Sequence, residues 1–335
     1  MIKISTKMLM TITLIMSTIM VISSENWFSM WMGLEINMMS FIPMMEKNNN
    51  YLSSESKMMY FLMQSMSSIM FIFMVIMNPL IMIKEKNTDN MIMNIITMSM
   101  MMKMGAAPIH MWFVNIMNKM NWNNCLIMMT WQKIAPMFIL SNTIQNSKVI
   151  TICSMLNAII GAIGGINQTS IKKMMAFSSI NHMGWMIMCM KFDNEMWMKY
   201  LMIYSIMMIM FINMMSKKSI NYMNQMNLNL KTTTEKINML IMMLSLGGLP
   251  PFIGFMPKWL VIQSMISTNS LFTTMILMMS SMITLFYYMR MITPIIMSNN
   301  MMNKWNNKNM NPKMNYMHMF IINMMLPITM IMNIM

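Results

Sequence analysis

The sequence predicts an all-α polytopic membrane protein of about eleven transmembrane helices, and three observations predict it. Hydrophobic residues make up 57% of the 335 and charged residues only 10%, against ~25% charged in soluble domains. Apolar stretches near the ~20 residues that cross a bilayer follow one another with short loops between them. No segment is polar enough or long enough to fold as a soluble domain, so residues 1–335 read as one membrane domain.

The spans are expected at about 8–25, 26–45, 56–79, 91–118, 122–143, 149–167, 173–190, 196–215, 237–266, 271–295 and 315–335. The first follows Lys3 and Lys7, as in a signal peptide, but so many spans come after it that it reads as a retained helix. Only Ser23-Ser24-Glu25-Asn26 separates it from the second. The spans 91–118 and 237–266 are longer than a crossing requires, and each is interrupted. Gly105-Ala106-Ala107-Pro108 breaks one and Gly247-Gly248-Leu249-Pro250-Pro251 the other. Proline removes a backbone donor and clashes with the preceding turn, and irregular backbone at membrane depth survives only when buried in protein or lining a cavity.

A pair of interrupted helices in corresponding places of two halves points to an inverted repeat. The halves are expected at 8–143 and 149–295, with a C-terminal helix at 315–335. Lys103 precedes the first break and Lys258 follows the second, the mirrored order that opposite orientation produces. Two ordinary proline kinks would give the same pattern. Gly161-Ala162-Ile163-Gly164-Gly165 reads as close helix packing.

The net charge of +14 would suggest nucleic acid in a soluble protein, but here the lysines sit mostly at span ends. Eleven spans put fourteen of them on the N-terminal side: Lys3, Lys7, Lys47, Lys57, Lys119, Lys172, Lys173, Lys217, Lys218, Lys231, Lys236, Lys304, Lys308 and Lys313. Five fall on the other: Lys84, Lys86, Lys148, Lys191 and Lys199. That asymmetry follows the positive-inside rule and removes the case for nucleic acid. Lys172, Lys173, Lys217 and Lys218 read as topology signals or lipid head-group contacts, and Arg290, the single arginine, as a snorkelling side chain near a span end.

The 72 methionines exceed any packing need. Met, Ile, Asn and Lys are abundant while Gly, Ala, Pro and Arg are scarce, as an A/T-rich gene would give if AUA is read as Met. That is the animal mitochondrial code. The N-terminus is then expected in the matrix and the C-terminus in the intermembrane space of the inner membrane.

Three lysines remain inside spans: Lys103, Lys133 and Lys258. A lysine at helix centre costs ~2.5–3.5 kcal/mol on insertion scales and usually marks an ion or proton pathway; a structural ion pair is the alternative. Glu35 is the one carboxylate clearly inside an apolar segment, and Lys103 is its candidate partner. Separating such a pair releases a proton from the lysine or loads one on the carboxylate. His110, just after the first break, and His182, four residues after Ser178 on one helical face, are candidate relays. A satisfied core histidine is the alternative for each, and His318 reads as interfacial. Cys125, Cys153 and Cys189 lie in three separate spans without a Cys-x-x-Cys, which argues against zinc or iron–sulfur ligation.

The segments Lys103-Met104-Gly105-Ala106-Ala107-Pro108-Ile109-His110-Met111-Trp112-Phe113, Met129–Pro136, Gly161–Gln168, Met175–Trp185 and Leu246–Leu260 together carry a resemblance over the whole chain. The chain resembles the subunit 2 family of mitochondrial NADH:ubiquinone oxidoreductase (respiratory complex I), insect type, an antiporter-like family. The resemblance implies two inverted five-helix repeats with discontinuous helices at Pro108 and Pro250-Pro251. It implies that Glu35 and Lys103 form the input ion pair, Lys133 the central connecting lysine and Lys258 the terminal lysine. It also implies a core membrane-arm subunit that translocates protons without a redox centre of its own. NADH, FMN, iron–sulfur clusters and ubiquinone would belong to partner subunits. The expected partners are other complex I subunits, above all neighbouring antiporter-like ones, and membrane lipids. Two rivals share these helices: a stand-alone cation/proton antiporter, and a structural membrane-arm subunit whose charges merely join helices. A haem-binding subunit would need facing histidine pairs, which three scattered histidines do not offer.

Overall fold

The structure, a computed structural model, describes residues 4–45, 51–81, 88–143, 148–230, 232–299 and 316–327. Lys3, Lys47, Lys84, Lys86, Lys231, Lys304, Lys308 and Lys313 of the charge count, and the last part of the final span, lie outside the described residues. The described chain is helical throughout, with one isolated antiparallel bridge between Ser170 and Tyr222. It divides into two compact units, Met1–Asn157 and Ala158–Met335.

The first unit holds α1 (Ile4–Ser23), α2 (Trp27–Met44), α3 (Tyr51–Ile81), α4 (Thr88–Met104), α5 (Met111–Lys119), α6 (Trp122–Met129), α7 (Trp131–Thr143) and the first half of α8 (Lys148–Ile166). Helix α1 packs on α2, α3 on α4, and α7 meets α1, α2 and α4. The expected interruption of 91–118 is real: α4 stops at Met104 and α5 starts at Met111. Gly105 makes the stop with φ +70, a conformation that costs any side-chain-bearing residue ~1–2 kcal/mol. The connecting strand is held from outside, since Ala107 N–H donates to Asn157 Oδ1 at 2.5 Å.

The span 122–143 differs from expectation. It is two helices, α6 and α7, parted at Thr130 (φ −116, ψ −70). The Thr130 hydroxyl donates to the Leu126 carbonyl four residues back at 2.8 Å, a back-bond that bends helices. Pro136 supplies no N–H to the carbonyl of Gln132. Lys133 therefore sits in the first turn of α7 rather than mid-way along one continuous helix.

The second unit holds the rest of α8, then α9 (Ile171–Phe192), α10 (Met196–Lys218), the short α11 (Gln225–Asn229), α12 (Thr233–Gly247), α13 (Phe255–Ser267), α14 (Leu271–Asn299) and α15 (Tyr316–Asn323). Every residue of α9 from 174 to 190 is buried, so this helix forms the core, and α10, α13 and α14 pack against it. The glycines of α8 permit close approach: a Cβ on Gly161 would meet the backbone of Phe177 and Asn181, and one on Gly165 the ring of Tyr287. The second interruption separates α12 from α13. Thr232 caps α12 by accepting from Glu235 N–H at 3.3 Å, Gly248 ends it with φ +80, and Ile253 N–H of the loop donates to Asn323 of α15 at 3.1 Å.

Arg290 does not snorkel. It lies half-buried within α14, and its Nη2 donates to the Gln168 carbonyl in the turn between α8 and α9 at 2.8 Å. The long side chain clamps that turn instead of reaching past the end of the helix. His318 is exposed on α15.

Apolar side chains lie outside. On α14, Phe272, Met275, Met279, Met282 and Phe286 form an exposed stripe at three- and four-residue spacing. Among the described residues, five helices are long and apolar enough to cross a membrane by themselves. An apolar outer face around buried polar groups is the arrangement that hydrocarbon solvent selects, and the protein is a membrane protein.

Candidate functional site

The three lysines inside spans are all buried, with exposures of 7% for Lys103, 2% for Lys133 and 5% for Lys258. Snorkelling to water is thus not how their charge is accommodated.

In the first unit Lys103 and Lys133 line one cavity. Its other walls include Asn37, Tyr60, Gln64, Trp112, Phe113 and Gln132. The space open to the centre of a water molecule is about 20 Å³, enough for one water, which needs roughly 10–15 Å³. Lys103 belongs to the last turn of α4, where the unpaired carbonyls and the helix dipole favour a cation. Its own carbonyl accepts from Gln64 Nε2 at 2.9 Å. The ammonium of Lys133 stands 5.8 Å from the centre of the Phe113 ring, within cation–π range. Gln132 ties the polar wall together: its Nε2 donates to Asn37 Oδ1 at 3.1 Å, and its Oε1 accepts from the Tyr60 hydroxyl at 3.4 Å.

Glu35 lies on α2, part-exposed, and is not among the residues lining this cavity. No direct ion pair joins it to Lys103 among the described residues. His110 is part-exposed at the start of α5, its Nδ1 3.1 Å from the Pro108 carbonyl. It too stands outside the lysine cavity.

In the second unit Lys258 projects from the first turn of α13. Its Nζ donates to the Gly247 carbonyl at the C-terminal end of α12 at 2.8 Å. A Cβ on Gly248 would lie 2.7 Å from that nitrogen, so glycine is what lets the ammonium settle on the break. Lys103 and Lys258 thus both lie next to a helix break, Lys103 in the last turn before the first and Lys258 in the first turn after the second. His182 is buried on α9. Its Nδ1 lies 2.9 Å from the Tyr200 hydroxyl, and its ring packs on Tyr204 with centroids 4.9 Å apart.

The transmembrane family of NADH:quinone oxidoreductase and Mrp antiporters matches residues 24–284. The chain belongs to this antiporter family. Among similar proteins of the family, NADH-ubiquinone oxidoreductase chain 2 of Anopheles gambiae is 44% identical over 302 residues, covering 89% of this chain and 88% of the mosquito protein. The protein of the same name from Bos taurus is 36% identical over 333 residues, with 95% of each covered. A chain of respiratory complex I from Thermus thermophilus superimposes with a TM-score of 0.79 at 18% identity, over 87% of this chain and 70% of its own length. A chain of the Mrp complex from Dietzia gives 0.76 at 12% identity, over 85% of this chain and 59% of its own length. At those identities the last two establish the antiporter-like fold alone.

Sequence reasoning singled out the lysines and missed their polar surroundings. Gln64 and Gln132 were detectable as amides inside apolar stretches. Tyr60, Tyr200 and Tyr204 were not, because a tyrosine in a span equally reads as packing or as an interfacial anchor. The three cysteines are buried and free of disulfides.

Proposed function

We propose that the chain is a core membrane-arm subunit of respiratory complex I in the mitochondrial inner membrane. It moves protons across the membrane, coupled to electron transfer from NADH to ubiquinone in partner subunits. The observation that carries this reading is that Lys103 and Lys133 share one polar cavity within the bundle. Two like charges on one small cavity cannot both be held easily at low dielectric. Protonating one disfavours protonating the other, which is the behaviour a stepwise proton path requires.

On this reading Glu35 sets the charge on Lys103 from a distance. Lys133 is the middle station, and Lys258, with His182 as relay, is the terminal one. His110, beside the first break, serves the entry side. The eleven spans form two inverted five-helix repeats around the breaks, with the N-terminus in the matrix and the C-terminus in the intermembrane space. NADH, FMN, iron–sulfur clusters and ubiquinone stay with other subunits. Neighbouring antiporter-like subunits and lipids cover the apolar outer faces.

The test is to replace Lys258 with Met, or Glu35 with Gln, and measure protons moved per NADH in the assembled complex. Stoichiometry should fall while the complex persists on native gels. Unchanged stoichiometry overturns the assigned roles. Loss of assembly with normal pumping in what remains favours a purely structural subunit, and activity of the isolated chain favours a stand-alone antiporter.

A further inference from the structure

Asn157 stands midway along α8, an apolar helix long enough to span a bilayer, and its side chain is fully buried. A primary amide at that depth is costly unless its polar atoms are paired, and only half of this one is. Oδ1 accepts from the Ala107 N–H at 2.5 Å, while Nδ2 has no hydrogen-bond partner among the described residues. A buried donor left unpaired costs ~1–3 kcal/mol, a cost that leucine of similar size would not carry. What asparagine contributes at this position is therefore its oxygen, and the group it serves is a backbone N–H of the first break.

The rest of that break is closed by other means. Gly105 N–H donates to the Met102 carbonyl at 3.2 Å and Ala106 N–H to the Met101 carbonyl at 2.9 Å, the pairing that ends a helix on a left-handed glycine. The Lys103 carbonyl accepts from Gln64 of α3. Ala107 comes next, and its N–H finds its acceptor on α8. The second break ends its helix in the same way, through Gly248 to Ser245 at 3.0 Å and Leu249 to Leu244 at 3.2 Å. Its loop N–H, that of Ile253, goes instead to the backbone carbonyl of Asn323. The second loop is thus tied by main chain, and the first by one side chain, four residues after Lys103.

We infer that Asn157 is a positioning residue for Lys103: by holding Ala107 it fixes the end of α4 and keeps Lys103 in the wall of the cavity it shares with Lys133. The inference rests on the proton-moving reading above and adds a residue to it. Asn157 is not among the residues lining that cavity, and a neutral amide neither gives nor takes a proton in the transfer. Its part is geometric. With Ala107 released, the segment after Gly105 is no longer tied to α8, and the last turn of α4 shifts with it. A displacement of ~1 Å at a reacting group can cost about 100-fold in rate, so a single lost acceptor outside the cavity is enough to impair transfer inside it.

The experiment compares Asn157→Leu, Asn157→Asp and Lys103→Met in the assembled complex. It measures protons per NADH and the pH at which pumping is half-maximal. Asn157→Leu, which removes the acceptor, is expected to lower pumping at least several-fold and to move that pH, with the assembled amount kept. Asn157→Asp, which keeps an oxygen opposite Ala107, is expected to recover most of the pumping. A positioning role predicts both changes, whereas a merely structural residue would lower the assembled amount and leave pumping per complex and its pH dependence as they were. Normal pumping and pH dependence in Asn157→Leu, with pumping lost in Lys103→Met, overturns the positioning role and leaves the larger reading standing. Normal pumping in all three overturns both. Where Asn157→Leu does not assemble, Asn157→Ser, too short to reach Ala107, takes its place with the same expected outcomes. Failure of both to assemble, while Asn157→Asp assembles, makes the bond a folding contact and overturns the proposal.

Discussion

Lys258 donates to the carbonyl of Gly247 across the break between α12 and α13, at 2.8 Å. The bond answers two needs together. It satisfies one of the carbonyls that a helix end leaves without an intrahelical partner, and it gives a buried ammonium a place where helix carbonyls converge. Lys103 stands in the last turn of α4, before the first break, and lines the cavity of the first unit.

The geometry of that bond depends on Gly248. A side chain there would have to adopt φ +80 and would place its Cβ 2.7 Å from the lysine nitrogen. Gly248→Ala is expected to cost ~1–2 kcal/mol of backbone strain and to push Lys258 off Gly247 as well. Proton pumping should fall as far as in Lys258→Met, with less complex on native gels. Gly248→Asn, which tolerates the left-handed region better, should recover assembly more than pumping.

In the first unit the corresponding vulnerability is Gln132, which bridges Asn37 and Tyr60 beside the two lysines. Gln132→Leu keeps the approximate volume and strands the buried Asn37 amide. Leaving a buried polar group unsatisfied costs ~1–3 kcal/mol, so the complex should inactivate at a lower temperature. Gln132→Glu is the informative control. A carboxylate beside Lys103 and Lys133 can pair with either, and pumping should drop while thermal stability is retained.

How much of this was legible in the sequence follows from where each signal lies along the chain. The breaks at Gly105–Pro108 and Gly247–Pro251 were legible because glycine and proline act locally. The buried lysines were legible because a charge inside an apolar run has no cheap alternative. The break at Thr130 was not, since no glycine or proline stands there. It arises from a hydroxyl back-bond together with Pro136, six residues on. Arg290 looked like a snorkelling end residue because its partner, Gln168, is 122 positions away. The Gln132–Asn37 bond spans 95 positions and was hidden for the same reason. Contacts of that range are set by packing, which a single chain read locally does not report.

Glu35 and Lys103 form no direct ion pair among the described residues, so on the proposed reading they couple only across a distance. Their coupling should therefore be modest and reciprocal. In a double-mutant cycle of Glu35→Gln and Lys103→Met, scored by protons per NADH, the double variant should lose less than the sum of the single losses. Strict additivity would show that the two act on separate steps and would remove Glu35 from its place beside Lys103.

Gly161 separates tight packing from mere small size. Its absent Cβ would stand 2.6 Å from the Asn181 nitrogen and 2.7 Å from the Phe177 carbonyl oxygen, both backbone atoms of α9. A flexible side chain could swing aside, but a buried helix backbone cannot do so without moving the core. Gly161→Ala should therefore force α8 away from α9, at the ~1–3 kcal/mol typical of overpacking, and displace the helix that carries His182. Gly247→Ala is the matched comparison. There the nearest atoms are 3.6–3.7 Å away, ordinary contact distance, and the carbonyl that receives Lys258 is untouched. Assembled complex on native gels should fall for Gly161→Ala and stay near normal for Gly247→Ala, with pumping per assembled complex reduced only in the first. Equal assembly of the two would mean that α8 and α9 tolerate a wider separation than their present contact.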